Sequence, residues 1–132
     1  MAPQEGRGVQ PLDSGTWAAL LRWQRQLARG PWDPARDCSE IADEAARVAP
    51  GGEHWLCRPR RRGGTVRVHE EGRWEDRVYH MVYVVTAPDG RAMACDPRWD
   101  AVPVPFDEYR ARLAAAQPDP AAVEWVPTDH IP

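Results

Sequence analysis

The sequence predicts an α+β domain, with helices packed on one face of a small antiparallel sheet. Three observations carry that expectation. The stretch RDCSEIADEAARVAPGG, from Arg36 to Gly52, reads as a capped amphipathic helix. The stretch VYHMVYVVTAPDGRAMACDP, from Val78 to Pro97, reads as a β-hairpin. The order helix, helix, irregular strand region, hairpin and short helix groups the elements instead of alternating them, which argues against a parallel sheet. At 132 residues the chain fits one domain. Residues 1–12, rich in Gly, Pro and Gln, read as a flexible leader, and 13–132 as the domain.

In chain order, Ser14 or Thr16 is positioned to cap a first helix whose apolar residues Trp17, Leu20, Leu21 and Leu27 recur near a helical period. Gly30-Pro31 ends it, and a loop holding Trp32 follows. Asp37 then caps the second helix, with Glu40 completing a capping box. Cys38 falls at the first helical position, Ile41, Ala45 and Val48 form a narrow apolar stripe, and Pro50-Gly51-Gly52 stops the helix. From Glu53 to Glu75 the pattern is poor, with a short strand over Thr65–His69 and an exposed loop at RPRRRGG. Hairpin strands are expected near Val78–Thr86 and Arg91–Asp96. A helix over Asp107–Ala115 turns Tyr109 and Leu113 inward, and Val123, Trp125 and Val126 tack the proline-broken tail onto the body.

Composition removes several functions. The net charge of −3 leaves no basic footprint for a nucleic-acid partner. No apolar run approaches the ~20 residues needed to cross a bilayer. The polar start lacks a signal-peptide core, so a cytoplasmic protein is expected, or one delivered into a target cell as an effector. The chain has no lysine, which removes Schiff-base chemistry and a phosphate-loop lysine. It has no asparagine either, so an orienting partner for a catalytic histidine must be an acid, Gln or a backbone carbonyl. Cys38, Cys57 and Cys95 are odd in number and lack C-x-x-C spacing, which reads as free thiols. His54 and Cys57 alone make a weak zinc signal, so no metal and no cofactor are expected.

The chemistry concentrates on three residues. A cysteine at a helix start meets unpaired N–H groups and a positive dipole end, which favour the thiolate. His80 sits in a strand apolar on both faces, an interior position where an imidazole needs a partner. Pro88-Asp89-Gly90 suits a type I turn with a glycine bulge. That register sets Ala87 opposite Arg91 and Val82 opposite Asp96, so His80 and Asp96 become diagonal neighbours on one face. Without the bulge they point to opposite faces. A carboxylate beside an imidazole fixes its tautomer, and a thiolate completes the parts for Cys-His acyl transfer. The approach of Cys38 to His80 does not follow from spacing.

Other residues attract blander readings. Cys95 points away from Asp96 into the core, and Cys57 is incidental beside the arginine loop. His69 with Glu70 and Glu71 reads as a solvated turn, and His130 as tail. The tryptophans look too scattered for a stacking platform, although Trp32 could line a cleft near Cys38. Arg60 to Arg62 is a solvated loop, or else a docking patch for an acidic partner.

A helix-start cysteine, a strand histidine and then Asp-Pro resemble the papain-like fold, in particular its small deamidase and toxin-type members. The segment from Val78 to Tyr109 is also similar to the centre of protein N-terminal glutamine amidohydrolase. The matching residues are Tyr79, His80, Cys95-Asp96, Asp100, Pro103, Pro105, Phe106 and Tyr109. The Trp-Asp that precedes Tyr-His in that family is Arg77-Val78 here, and this chain is shorter. The resemblance implies a papain-like domain in which Cys38 is the nucleophile, His80 the base and Asp96 its orienter. It implies hydrolysis of a glutamine carboxamide in a peptide or protein. A protease or acyltransferase on the same three residues, and an inactive papain-like binding module, remain open. Gln24 or Gln26 is a candidate second oxyanion donor, and Tyr79 and Trp32 are candidate substrate contacts.

Overall fold

The computed structural model describes residues 10–128. The expectations placed on 1–9 of the leader and on His130 lie outside the described residues. The leader boundary moves inward, because Leu12 is buried in the core and its N–H donates to the Thr86 carbonyl at 2.9 Å. The chain folds as an α+β domain. Helix α1 (Ser14–Ala28) and helix α2 (Cys38–Val48) precede strands β1 (Glu53–Pro59), β2 (Val66–Glu70), β3 (Arg73–Arg77), β4 (His80–Thr86), β5 (Ala92–Cys95) and β6 (Val104–Pro105). Helix α3 (Phe106–Ala116), a short 3-10 turn and strand β7 (Val123–Pro127) complete it.

Five strands form one antiparallel sheet in the order β6-β5-β4-β1-β7, and β2 with β3 forms a separate two-stranded sheet. Strand β4 is buried along its whole length because β5 and β1 flank it and both of its faces are covered. Its odd positions Met81, Tyr83 and Val85 pack with Leu20 of α1 and Ala42 and Ala45 of α2. Its even positions Val82 and Val84 pack with Trp55 and with Phe106 and Tyr109 of α3. The helices therefore cover both faces of the sheet, not one. Fully burying a side chain such as Leu20 or Phe106 contributes roughly 1.5–3 kcal/mol.

Local signals decide most boundaries. Asp13, not Ser14 or Thr16, caps α1, its carboxylate accepting the Thr16 N–H at 2.7 Å. Helix α2 has the expected capping box on Asp37 and Glu40. Strand β1 is the element the sequence pattern hides, since its middle residues Trp55, Leu56 and Cys57 are all buried and show no alternation. Cys57, read as incidental, has no exposed surface and stands opposite His80 in the β1–β4 ladder. The tail is not merely tacked on, because Val123–Pro127 pairs with β1 as an edge strand.

At the end of α2 the backbone crowds Tyr83. The Tyr83 hydroxyl donates to the Ala49 carbonyl at 2.6 Å and accepts the Gly52 N–H at 2.7 Å. A Cβ on Gly52 would collide with the Val84 carbonyl and would lie 2.7 Å from Tyr83 Cζ. Gly52→Ala is expected to destabilise the fold by about 1–3 kcal/mol, measured by denaturant unfolding. An unchanged midpoint would show that this joint yields freely.

Candidate active site

Cys38 opens α2 because Asp37 holds the helix start. The Asp37 carboxylate accepts the Glu40 N–H at 3.0 Å, and the Glu40 carboxylate accepts the Asp37 N–H at 3.1 Å. Cys38 Sγ accepts a hydrogen bond from the Met81 N–H at 3.4 Å, so the thiol abuts the first turn of chain in β4. That backbone donor was invisible in the sequence, because it depends on how α2 docks on the sheet.

The hairpin has the register that its turn chemistry predicts. Tyr83 pairs with Cys95, Val84 with Ala94, Val85 with Met93 and Thr86 with Ala92. The Ala87 N–H donates to the Arg91 carbonyl at 2.8 Å, and Gly90 takes a φ of +90°, a conformation open to glycine. One residue beyond β5, Asp96 stands on the His80 side. His80 Nε2 lies 3.1 Å from Asp96 Oδ2, and the Asp96 Oδ1 accepts the Arg98 N–H at 3.2 Å.

Helical spacing turns Tyr109 inward but does not mark it as part of the site. Its hydroxyl lies 2.8 Å from His80 Nε2 and donates to Asp96 Oδ2 at 2.5 Å. With Nε2 so engaged, His80 Nδ1 has no hydrogen-bond partner among the described residues.

Burial sets the electrostatics. His80 is 2 % exposed and Asp96 7 %. Burial works against a charge on His80, but the Asp96 hydrogen bond and the neighbouring Cys38 thiol outweigh it and raise its pKa to about 10. Burial likewise opposes the Asp96 charge, yet the His80 and Tyr109 bonds hold the carboxyl below the ordinary carboxylate range. The two shifts agree in favouring an ion pair. Burial pushes the Tyr109 hydroxyl well up, so it stays protonated. It pushes the Cys57 thiol up to about 12, and the Cys95 thiol higher still.

A cleft of about 260 Å³ opens at Cys38 and is lined by Asp37, Arg77, Val78, Tyr79 and Arg98 among others. Tyr79, a candidate substrate contact, lines this cleft. Trp32 is half-buried and does not line the cleft. Gln24 is fully buried and spends its Nε2 on the Asp100 carbonyl at 3.0 Å, while Gln26 faces solvent. Neither glutamine borders the cleft, because the face of α1 that meets the body carries Gln24 into the interior.

His69 and Glu70 are no solvated turn. His69 stacks on Trp99 at 5.7 Å, with Trp74 at 5.1 Å from it, so two of the tryptophans read as scattered form one aromatic cluster with this histidine. Glu70 is buried and pairs with Arg77 at 2.7 Å, and Arg98 joins the cluster at 3.7 Å from Glu70. Arg98 also donates to the Arg36 carbonyl, tying the chain after β5 to the loop before α2. Arg60, Arg61 and Arg62 are all exposed as expected, and Arg60 also pairs with Glu124 at 3.2 Å. His54 bonds Asp43 at 2.9 Å on the α2 face, while Cys57 packs on the other face with Leu113. No group of three or more His, Cys, Asp or Glu among the described residues is placed to hold a metal. None of the helices among the described residues is long and apolar enough to cross a membrane.

No family model, curated protein or solved structure matches this chain.

Exposure separates the three thiols. Cys38 borders the cleft, while Cys57 and Cys95 are enclosed and their thiols are held protonated. Brief iodoacetamide treatment at pH 7, read by mass spectrometry, is expected to label Cys38 alone, with Cys57 and Cys95 reacting only after unfolding. First labelling at Cys57 or Cys95 would remove Cys38 as the nucleophile.

Proposed function

We propose that the protein is a papain-like cysteine amidohydrolase that hydrolyses a glutamine carboxamide in a peptide or protein and releases ammonia. The observation that carries the reading is the placement of a helix-start thiol, bonded to the Met81 N–H, beside the buried His80 imidazole, whose Nε2 is engaged by the Asp96 carboxylate. The choice of a carboxamide rests on the resemblance of the His80 to Tyr109 segment to glutamine amidohydrolases.

The Cys38 thiolate attacks the carboxamide carbon, and the developing oxyanion meets the Cys38 N–H, one of the helix-start amides without an intrahelical acceptor. His80 Nδ1 gives its proton to the leaving nitrogen, ammonia departs, and a thioester to Sγ remains. Water then attacks the thioester carbon while Nδ1 takes its proton. The carboxylic acid product leaves, giving its proton to solvent, and Cys38 Sγ and the protonated His80 are restored. Asp96 holds Nε2 throughout and stabilises the imidazolium, as an orienting carboxylate does.

An ammonia-release assay on glutamine-bearing peptides and proteins, with Cys38→Ala as control, tests the reading. Release that depends on Cys38 supports it. Peptide cleavage without ammonia makes the enzyme a protease, and acylation of Cys38 by a thioester donor without either product makes it an acyltransferase. Absence of all three outcomes, with slow alkylation of every thiol, leaves a binding module.

A further inference from the structure

We propose that Tyr109 is a positioning residue of this site, its hydroxyl bridging His80 Nε2 and Asp96 Oδ2 so that Nδ1 is presented to Cys38. The inference rests on the proposed cysteine chemistry but is separable from it by experiment. The hydroxyl is nearer to Nε2, at 2.8 Å, than the carboxylate is, at 3.1 Å. A phenol has one proton to donate, and the 2.5 Å contact assigns it to Asp96 Oδ2. The phenol oxygen must then accept from Nε2–H. Two acceptors therefore hold the proton on Nε2, which leaves Nδ1 as the nitrogen that exchanges a proton with thiol, leaving group and water.

The bridge is rigid and dry. Tyr109 has no exposed surface, and its ring is wedged by Trp99 at 5.3 Å and Trp125 at 6.1 Å. The Tyr109 and His80 rings lie nearly parallel, 20° apart. The groups that face His80 are Cys38 from α2, Cys57 from β1, Asp96 beyond β5 and Tyr109 from α3. Cys57 is held protonated by burial and the Asp96 carboxyl is held ionised, so the charges facing each other here are those of Asp96 and His80. Tyr109 keeps its own proton at every step, held by burial and by the Asp96 charge. It orients and does not transfer protons.

The test uses the whole protein and Tyr109→Phe, which retains the ring. NMR titration of the His80 imidazole nitrogens is expected to show its midpoint lowered by about one pH unit, the scale of one lost hydrogen bond to the charged form. Alkylation of Cys38 by iodoacetamide at pH 7 is expected to slow several-fold. A wild-type His80 titration together with a wild-type alkylation profile would overturn the proposal, even if the melting temperature fell, since a packing role predicts just that. Should the variant not fold, the unmutated protein decides. A nuclear Overhauser contact between the His80 Nε2 proton and the Tyr109 hydroxyl proton supports the bridge, and its absence overturns it. Failure of the cysteine chemistry appears elsewhere, as Cys38 alkylation in wild-type no faster than in His80→Ala.

Discussion

Replacing Cys38 with Ala, or His80 with Ala, is expected to lower ammonia release from a glutamine-bearing substrate by about 10⁴-fold or more. In the proposed mechanism the two residues act as a unit, because neither the nucleophile nor the acid–base group can complete the acyl transfer without the other. The double variant should therefore be no worse than either single one. Circular dichroism guards against misreading a folding defect, which matters more for His80 because it is fully buried while Cys38 borders the cleft. Turnover that survives in Cys38→Ala would place the chemistry elsewhere. Additive losses in the double variant would show that the two residues act independently.

The second large effect is on stability. Asp96→Ala leaves the buried His80 without its carboxylate, and removing one partner of a buried ion pair typically costs about 3–5 kcal/mol. Turnover should fall less than for Cys38 or His80, since the Tyr109 hydroxyl still holds Nε2. The pH dependence has a definite sign. His80 has its pKa raised from 6.5 to about 10, so its contribution is complete below pH 6.5 and is lost as pH rises through about 10. Asp96 has its pKa lowered from 3.8, so its contribution is complete above that value and is lost as acid protonates the folded carboxyl. These are two edges of one interaction. The stability gap between wild-type and Asp96→Ala should be widest between those two ordinary values, 3.8 and 6.5, and should narrow toward pH 10. Urea unfolding across that range measures it. A gap that stays level from pH 5 to 10 would mean that no charged pair exists.

What the sequence by itself determined is what short-range chemistry specifies. The Asp37–Glu40 capping box spans four residues, and it sets Cys38 at a helix start whatever the rest of the chain does. The Pro88-Asp89-Gly90 turn settles the parity of the hairpin, and parity alone brings His80 and Asp96 to one side. The inward turn of Tyr109 and Leu113 follows from helical spacing after Phe106. Tertiary structure decided the remainder. Strand β1 pairs with β4 and β7 across gaps that local pattern does not encode, and coverage of both its faces erased the alternation that marks a strand. For the same reason Cys57 passed for a loop neighbour and Glu70 for a solvated acid, since their burial depends on segments distant in sequence. Docking of α2 on the odd-numbered face of β4 brings Cys38 to the Met81 N–H beside His80, while Tyr109 reaches His80 from α3 on the opposite face. Capping and turn rules act over a few residues of chain. The meeting of a thiol, an imidazole and a phenol from three elements is fixed only by which apolar faces bury one another.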